Sequence, residues 1–532
     1  MRFGLVLLFS SLLFAQDTSS PPAKGVLDGK VLNSATGEPV RKAHVSWFDL
    51  DGPHEARQKS SGGGSTLTDA EGRFTFPAMS PGTYALVASH DGFESPGARG
   101  APKRQRVTLA RDEEKRGIVI RLTPLGVITG RISDEDGDPI RQAQVSAMVW
   151  QYTADGRTLS PRGSTPSNDL GEYRIYDLPP GRYFLKAGSS ESMGGGSPES
   201  YGVLYYPGTA DSAAAAAIEV GAGQQVQGID LTLRLTHIAR IRGRVLNPGH
   251  NLTVGMMKFA EGMSAISSMS VDDPEGKFEL RASPGSYFLT AGSTIGGQHY
   301  SASVPIQVGA ADMEGIELRL LAPMEIGGQL RIEGKTGDKL SRISLVLESG
   351  GRTVQSMAGG GPNEDGSFVL QGLEPAVYQV SVHASEDLYL KSVRWGDRDV
   401  MQSGLDLTQG AAESRLIVVL SANGGQVEGV VEDDQSPAAA MVALAPASAP
   451  ISKALFKWAD AGLTGHFRMQ GIAPGSYKLF AWGDVDPNQV LYDPDFLKPY
   501  DSKAQTVEIS EGSRQSVRLK LIKQAGEQPP SQ

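Results

Sequence analysis

Asp69-Ala70-Glu71-Gly72-Arg73-Phe74, followed by Pro81-Gly82-Thr83-Tyr84-Ala85-Leu86-Val87-Ala88, is the stretch that decides the fold. Asp-x-x-Gly supplies a tight turn, with glycine taking the positive φ that other residues resist. Pro-Gly fits the central positions of a type II turn. After it, Tyr84, Leu86 and Ala88 alternate with small or polar residues, the period-two signature of a strand with one buried face. The tyrosine is expected to be a core ring whose hydroxyl reaches a backbone group at a sheet corner.

The cassette recurs. Its second copy is Asp169-Leu170-Gly171-Glu172-Tyr173 with Pro180-Gly181-Arg182-Tyr183, and its third Asp273-Pro274-Glu275-Gly276-Lys277-Phe278 with Pro284-Gly285-Ser286-Tyr287. The fourth is Glu364-Asp365-Gly366-Ser367-Phe368 with Pro375-Ala376-Val377-Tyr378, and the fifth Gly465-His466-Phe467 with Pro474-Gly475-Ser476-Tyr477. The Gly-to-Tyr spacing is 12, 12, 11, 12 and 12, and successive tyrosines are 99, 104, 91 and 99 apart. A period near one hundred residues suits a complete sandwich rather than a solenoid unit. Ala376 stands where the others have glycine, so its turn is expected to differ or carry strain.

Each copy opens on a Gly-containing strand (Gly29-Lys30-Val31, Gly130-Arg131-Ile132, Gly243-Arg244-Val245, Gly328-Gln329-Leu330, Gly429-Val430-Val431). Each closes on an alternating one, such as Ile118, Ile120 and Leu122 or Val517, Leu519 and Leu521. The reading is all-β: five tandem immunoglobulin-like or prealbumin-like β-sandwiches at 25–123, 124–236, 237–322, 323–422 and 423–522. Short Pro-containing links such as Thr123-Pro124-Leu125-Gly126 predict an elongated, semi-stiff array.

Gly37-Glu38-Pro39-Val40-Arg41-Lys42-Ala43-His44-Val45 and Gly137-Asp138-Pro139-Ile140-Arg141-Gln142-Ala143-Gln144-Val145 share one further pattern. With the cassettes, it resembles the carboxypeptidase regulatory-like domain family and its transthyretin-like sandwich. In the later copies the segment is reduced to Asp338-Lys339-Leu340 or Ser436-Pro437-Ala438. The resemblance implies a fold related to carbohydrate-binding-like sandwiches, and not an activity.

Composition bounds the rest. The 532 residues include 65 Gly, 32 Pro and no Cys, with 39% hydrophobic and 7% aromatic residues, which suits several small cores. A net charge of −10 without a basic block excludes a nucleic-acid footprint. Met1-Arg2, the apolar run Phe3 to Phe14 and Ala15 read as a signal peptide cleaved after Ala15, followed by a linker at 16–24. A secreted or periplasmic protein is expected, folded without disulfides and without a membrane span, with a disordered tail at 523–532.

Catalytic patterns are missing. The eight histidines are scattered, with no His-Glu-x-x-His or His-x-x-Glu spacing, and neither a Gly-x-Ser-x-Gly elbow nor a phosphate loop is present. Asp134-Glu135-Asp136-Gly137-Asp138 lacks EF-hand spacing and reads as a polar hairpin, with a weak cation site as the alternative. No enzyme activity, cofactor or metal is expected. Aromatics outside the cassettes remain: Tyr201, Tyr205, Tyr206, Trp395, Tyr492, Phe496 and Tyr500 are the candidate ligand-binding residues. Such rings suit stacking on a polysaccharide or gripping a cell-envelope or protein partner. The alternative is that they plug the sandwich edges, which favours a structural spacer.

Overall fold

The computed structural model describes residues 25–50, 63–94, 105–153, 156–189, 199–258, 265–334, 340–349, 357–411, 414–447, 453–462, 464–483, 485–493 and 495–523. The expected signal peptide, the linker and nearly all of the tail lie outside these residues. The chain divides into two compact units, one drawn from 1–91 and 103–122, the other from 92–102 and 123–532.

In the first unit, Arg73–Met79, Gly25–Asn33 and Glu114–Leu122 form one sheet. Ser65–Leu67, His44–Asp49, Gly82–Ser89 and Gln105–Leu109 form the facing one. The opening strand runs antiparallel to the cassette strand and parallel to the closing strand, with Gly29 opposite both Phe74 and Ile118. This explains the recurring glycine. A Cβ on Gly29 would lie 2.6 Å from the Phe74 ring and 2.4 Å from the Ile118 carbonyl oxygen. Leu27, Val31, Val45, Phe74, Tyr84, Leu86 and Ile120 fill the space between the sheets.

The second unit repeats the scheme. Gly130 meets Tyr173 and Ile229, Gly243 meets Phe278 and Ile316, Gly328 meets Phe368 and Leu416, and Gly429 meets Phe467 and Val517 in the same way. Separate inner cores surround Tyr183, Tyr287, Tyr378 and Tyr477. The fold is therefore all-β, built from paired sheets in each of which first and last strands pair in parallel.

The tyrosine corner forms as expected. The hydroxyls of Tyr84, Tyr183, Tyr287, Tyr378 and Tyr477 donate to the carbonyls of Ser80, Pro179, Ser283, Glu374 and Ala473, at 2.7, 2.6, 2.9, 2.9 and 2.9 Å. The Asp-x-x-Gly turns also form, with Gly72, Gly171, Gly276, Gly366 and Gly465 at φ 69, 73, 69, 83 and 69. In the second copy Asn168, not Asp169, makes the turn, accepting from the backbone N–H groups of Leu170 and Glu172.

The Pro-Gly expectation needs correction. Gly82, Gly181 and Gly285 are not among the positive-φ residues, so no type II turn is made there, and Gly475 lies at φ 155. A Cβ on Gly285 would crowd the edge of the Tyr287 ring at 3.2 Å, and one on Gly475 would touch Tyr477 at 3.4 Å. Ala376 also has no positive φ and packs into its core without the expected backbone strain.

The 11-residue spacing of the third copy has a structural cause as well. In the other four, the cassette strand carries a β-bulge opposite the opening strand. Ala78, Asp177, Gly372 and Gly471 sit there at φ 64, 58, 78 and 56. In the third, pairing runs unbroken from Arg244↔Lys277 to Ala239↔Ala282. The missing residue is the bulge, since a bulge is one extra residue on one strand.

Candidate functional site

The candidate rings of the second sheet pair lie in the segment between Gly181–Ser189 and Ala217–Val220. Strand Glu199–Tyr201 pairs with Leu235–His237, and half-buried Tyr201 packs against the inner core. Burial and the nearby carboxylates of Asp134 and Asp138 raise its phenol pKa, so Tyr201 stands beside the acidic turn. In that turn, Asp134 accepts from the backbone N–H groups of Asp136 and Asp138, as a polar hairpin does.

Tyr205 is 3% exposed. Its backbone N–H donates to Thr209 and its residue pairs with Lys186. With Met148, Leu159 and Phe184 it forms a second core, against which Trp150, Val203 and Ala217 pack. Tyr205 is thus a buried member of this second core. Tyr206 is half-buried against the inner core, its N–H bonded to the Leu185 carbonyl at 2.9 Å.

Trp395 ends the strand Tyr389–Trp395, opposite Leu416, and packs half-buried against the fourth inner core. In the fifth pair the segment 483–504 carries a short helix, Pro487–Tyr492, capped by the Asp486 carboxylate, and the 3-10 turn Lys498–Lys503. Phe496 and Tyr500 come together, 5.4 Å between ring centroids, and both pack on Trp482 at 5.8 and 5.6 Å. Trp482 in turn stacks on Phe480 at 5.3 Å. Val485, Val490, Phe456 and Ile522 complete this core. The Trp482 indole N–H is buried with no hydrogen-bond partner. Tyr492, at the helix end, is half-buried.

Residues the sequence reading passed over do the positioning. Phe184 and Phe480 point away from the inner core, because each is displaced by an odd number from its corner tyrosine. The signal was there: Tyr183-Phe184-Leu185 and Leu479-Phe480-Ala481-Trp482 break the alternation, as strands buried on both faces do. Burial pushes the Tyr477 phenol up to about 12, and the Tyr378 hydroxyl also accepts from the Glu374 N–H at 3.0 Å. Among the described residues no three His, Asp or Glu side chains gather as metal ligands. Among them, too, no helix is long and apolar enough to cross a membrane.

Paired sheets closed by a tyrosine corner and a parallel first-to-last pairing define a β-sandwich protein of repeated build. Residues 26–122, the first sandwich, match the carboxypeptidase regulatory-like domain family. No curated protein sequence matches the chain. Among solved structures, it is similar to the Bacillus anthracis TIE protein at 11% identity, over 56% of this chain and 51% of that one, with a TM-score of 0.19. The chain thus spans about half the length of that relative. A streptococcal ancillary pilin matches at 11% identity over 56% of this chain and 99% of its own, TM-score 0.21. GBS52, the minor pilin of Streptococcus agalactiae, matches at 16% identity over 40% and 95%, TM-score 0.23. At such scores the fold assignment stands on the strand pairing itself.

Proposed function

We propose that the chain is an exported, non-catalytic structural component of the cell envelope. In this reading each pair of sheets is one sandwich domain, bounded at 25–123, 124–236, 237–322, 323–422 and 423–522. The aromatics outside the cassettes add a second packing layer to two of the sandwiches. What carries this reading over a polysaccharide-binding one is the Trp482, Phe480, Phe496 and Tyr500 cluster: its rings are spent on one another. A sugar platform needs an open ring face. Export rests on the basic start, apolar run and Ala15 of the sequence.

The test is retention of the full-length protein on insoluble glycans and on envelope preparations, beside its thermal unfolding. The structural reading expects no glycan to retain the protein, and Tyr205→Ala to lower the melting temperature by several degrees. Retention by a glycan that Trp395→Ala or Tyr492→Ala abolishes, with melting unchanged, would establish the binding reading instead.

A further inference from the structure

The outer layers of the second and fifth sheet pairs meet. Helix Pro487–Tyr492 packs against strand Ala143–Thr153, far from it in sequence. Contacts in this unit are therefore not restricted to neighbouring repeats, as a simple string of sandwiches would have them. The strand side offers Trp150, which packs edge-on to Phe184 at 5.7 Å and borders the core of Met148, Leu159 and Tyr205. The Arg157 guanidinium covers the Trp150 ring at 3.8 Å. Burial and the Asp493 carboxylate raise the Tyr152 phenol pKa while Arg157 lowers it, so the phenol lies beside both. Joined as a chain, the guanidinium would donate to the phenol oxygen and the phenol hydroxyl to the carboxylate.

The helix side is held ready for that bond. Asp486 caps the helix by accepting from the Asn488 N–H. At the other end the Asp493 N–H donates to Gln489, and its carboxylate accepts from the Asp495 N–H at 3.0 Å. A carboxylate at a helix C-terminus faces the unpaired carbonyls there and is disfavoured. Helix formation thus gives no reason for Asp493; the turn onto Asp495 and the neighbouring Tyr152 and Arg157 do. Val490, beneath the helix, is fully buried in the fifth outer core, so the element is anchored to its own sandwich.

We propose that residues 485–493 are a docking element whose seat is the outer face of Ala143–Thr153. The Arg157–Tyr152–Asp493 chain closes this clasp. The second and fifth sandwiches are then mutually fixed, and the third and fourth are held between two tied ends. This holds whatever the protein binds, because the clasp is made within the chain.

The absence of cysteine makes the test clean. Gln151→Cys and Asn488→Cys place spin labels at two exposed positions flanking the contact in the full chain. The clasp predicts one narrow, short inter-label distance in solution. It also predicts that adding Tyr152→Phe and Asp493→Asn broadens the distribution toward long distances. A broad or long distribution in the labelled parent would overturn the proposal. So would a short one that the added pair of substitutions leaves unchanged, because the polar chain would then not be what closes it.

Discussion

In the third sheet pair, strand Gly285–Ile295 turns through Gly296 and Gly297, at φ 60 and 84, straight into Gln298–Val308. In the fifth, strand Gly475–Trp482 leads into residues 483–504 before Gln505–Ile509 takes up the same edge. The inner faces are alike: Tyr287 and Tyr477 bond the carbonyl four residues upstream at the same 2.9 Å. The outer faces are opposite. Three and five places after the tyrosine, the third pair has Thr290 and Gly292, and the fifth has Phe480 and Trp482. Beyond Phe288, which is buried at the start of the strand, the third pair's outer face carries no large side chain and accepts a two-residue hairpin, whose positive φ at both positions matches the twist of the strands. An aromatic outer face must be covered, and the insertion supplies Val490, Phe496 and Tyr500 to cover it. The difference between the two is thus a matter of what the second face of one strand carries.

The largest expected break of this comparison is Trp482→Ala. Removing a fully buried tryptophan should cost about 3–5 kcal/mol in the unfolding of the fifth sandwich. Gly292→Ala, at the matching place, should leave the third sandwich within about 1 kcal/mol of wild type. The atoms nearest an added Cβ there are the ring of His299, at 3.0 Å, and the Thr253 hydroxyl. Denaturant unfolding of each variant checks the pair.

A smaller effect sharpens the likeness. Tyr287→Phe and Tyr477→Phe should each lose about 1 kcal/mol, one hydrogen bond with its carbonyl left unpaired. Equal losses confirm one corner shared by both sandwiches. A loss in one alone would mean that the corner is not the common unit.

The inner cores were legible because three signals agreed. Alternation placed Tyr84, Leu86 and Ala88 on one face, the Asp-x-x-Gly turn fixed the strand ends, and the spacing of tyrosines gave the period. Even the 11-residue spacing in the third copy carried information, as a missing bulge. Gly82, Gly181 and Gly285 were placed correctly but not for a positive φ; only at Gly285 would a Cβ crowd the neighbouring ring, at 3.2 Å. The outer cores were harder. Tyr205 lies in a two-residue strand, Tyr500 in a single 3-10 turn and Phe496 just before it, elements too short for a period to report burial. What gave them away was on the neighbouring strand, in the unbroken apolar run Leu479 to Trp482. The contact of Asp493 with Tyr152 had no local signal at all, since it joins side chains from two different sandwiches.

Amide hydrogen exchange across residues 485–504 of the full chain is the most direct test of the central claim, that the aromatics outside the cassettes are core. Packed segments exchange only through opening, whereas presented loops exchange freely. The account predicts that the Val490 and Tyr500 amides are protected to nearly the extent of the Gly475–Trp482 strand. Exchange there at the rate of an unstructured peptide, with the strand itself protected, would contradict it and return these rings to the surface as a binding site.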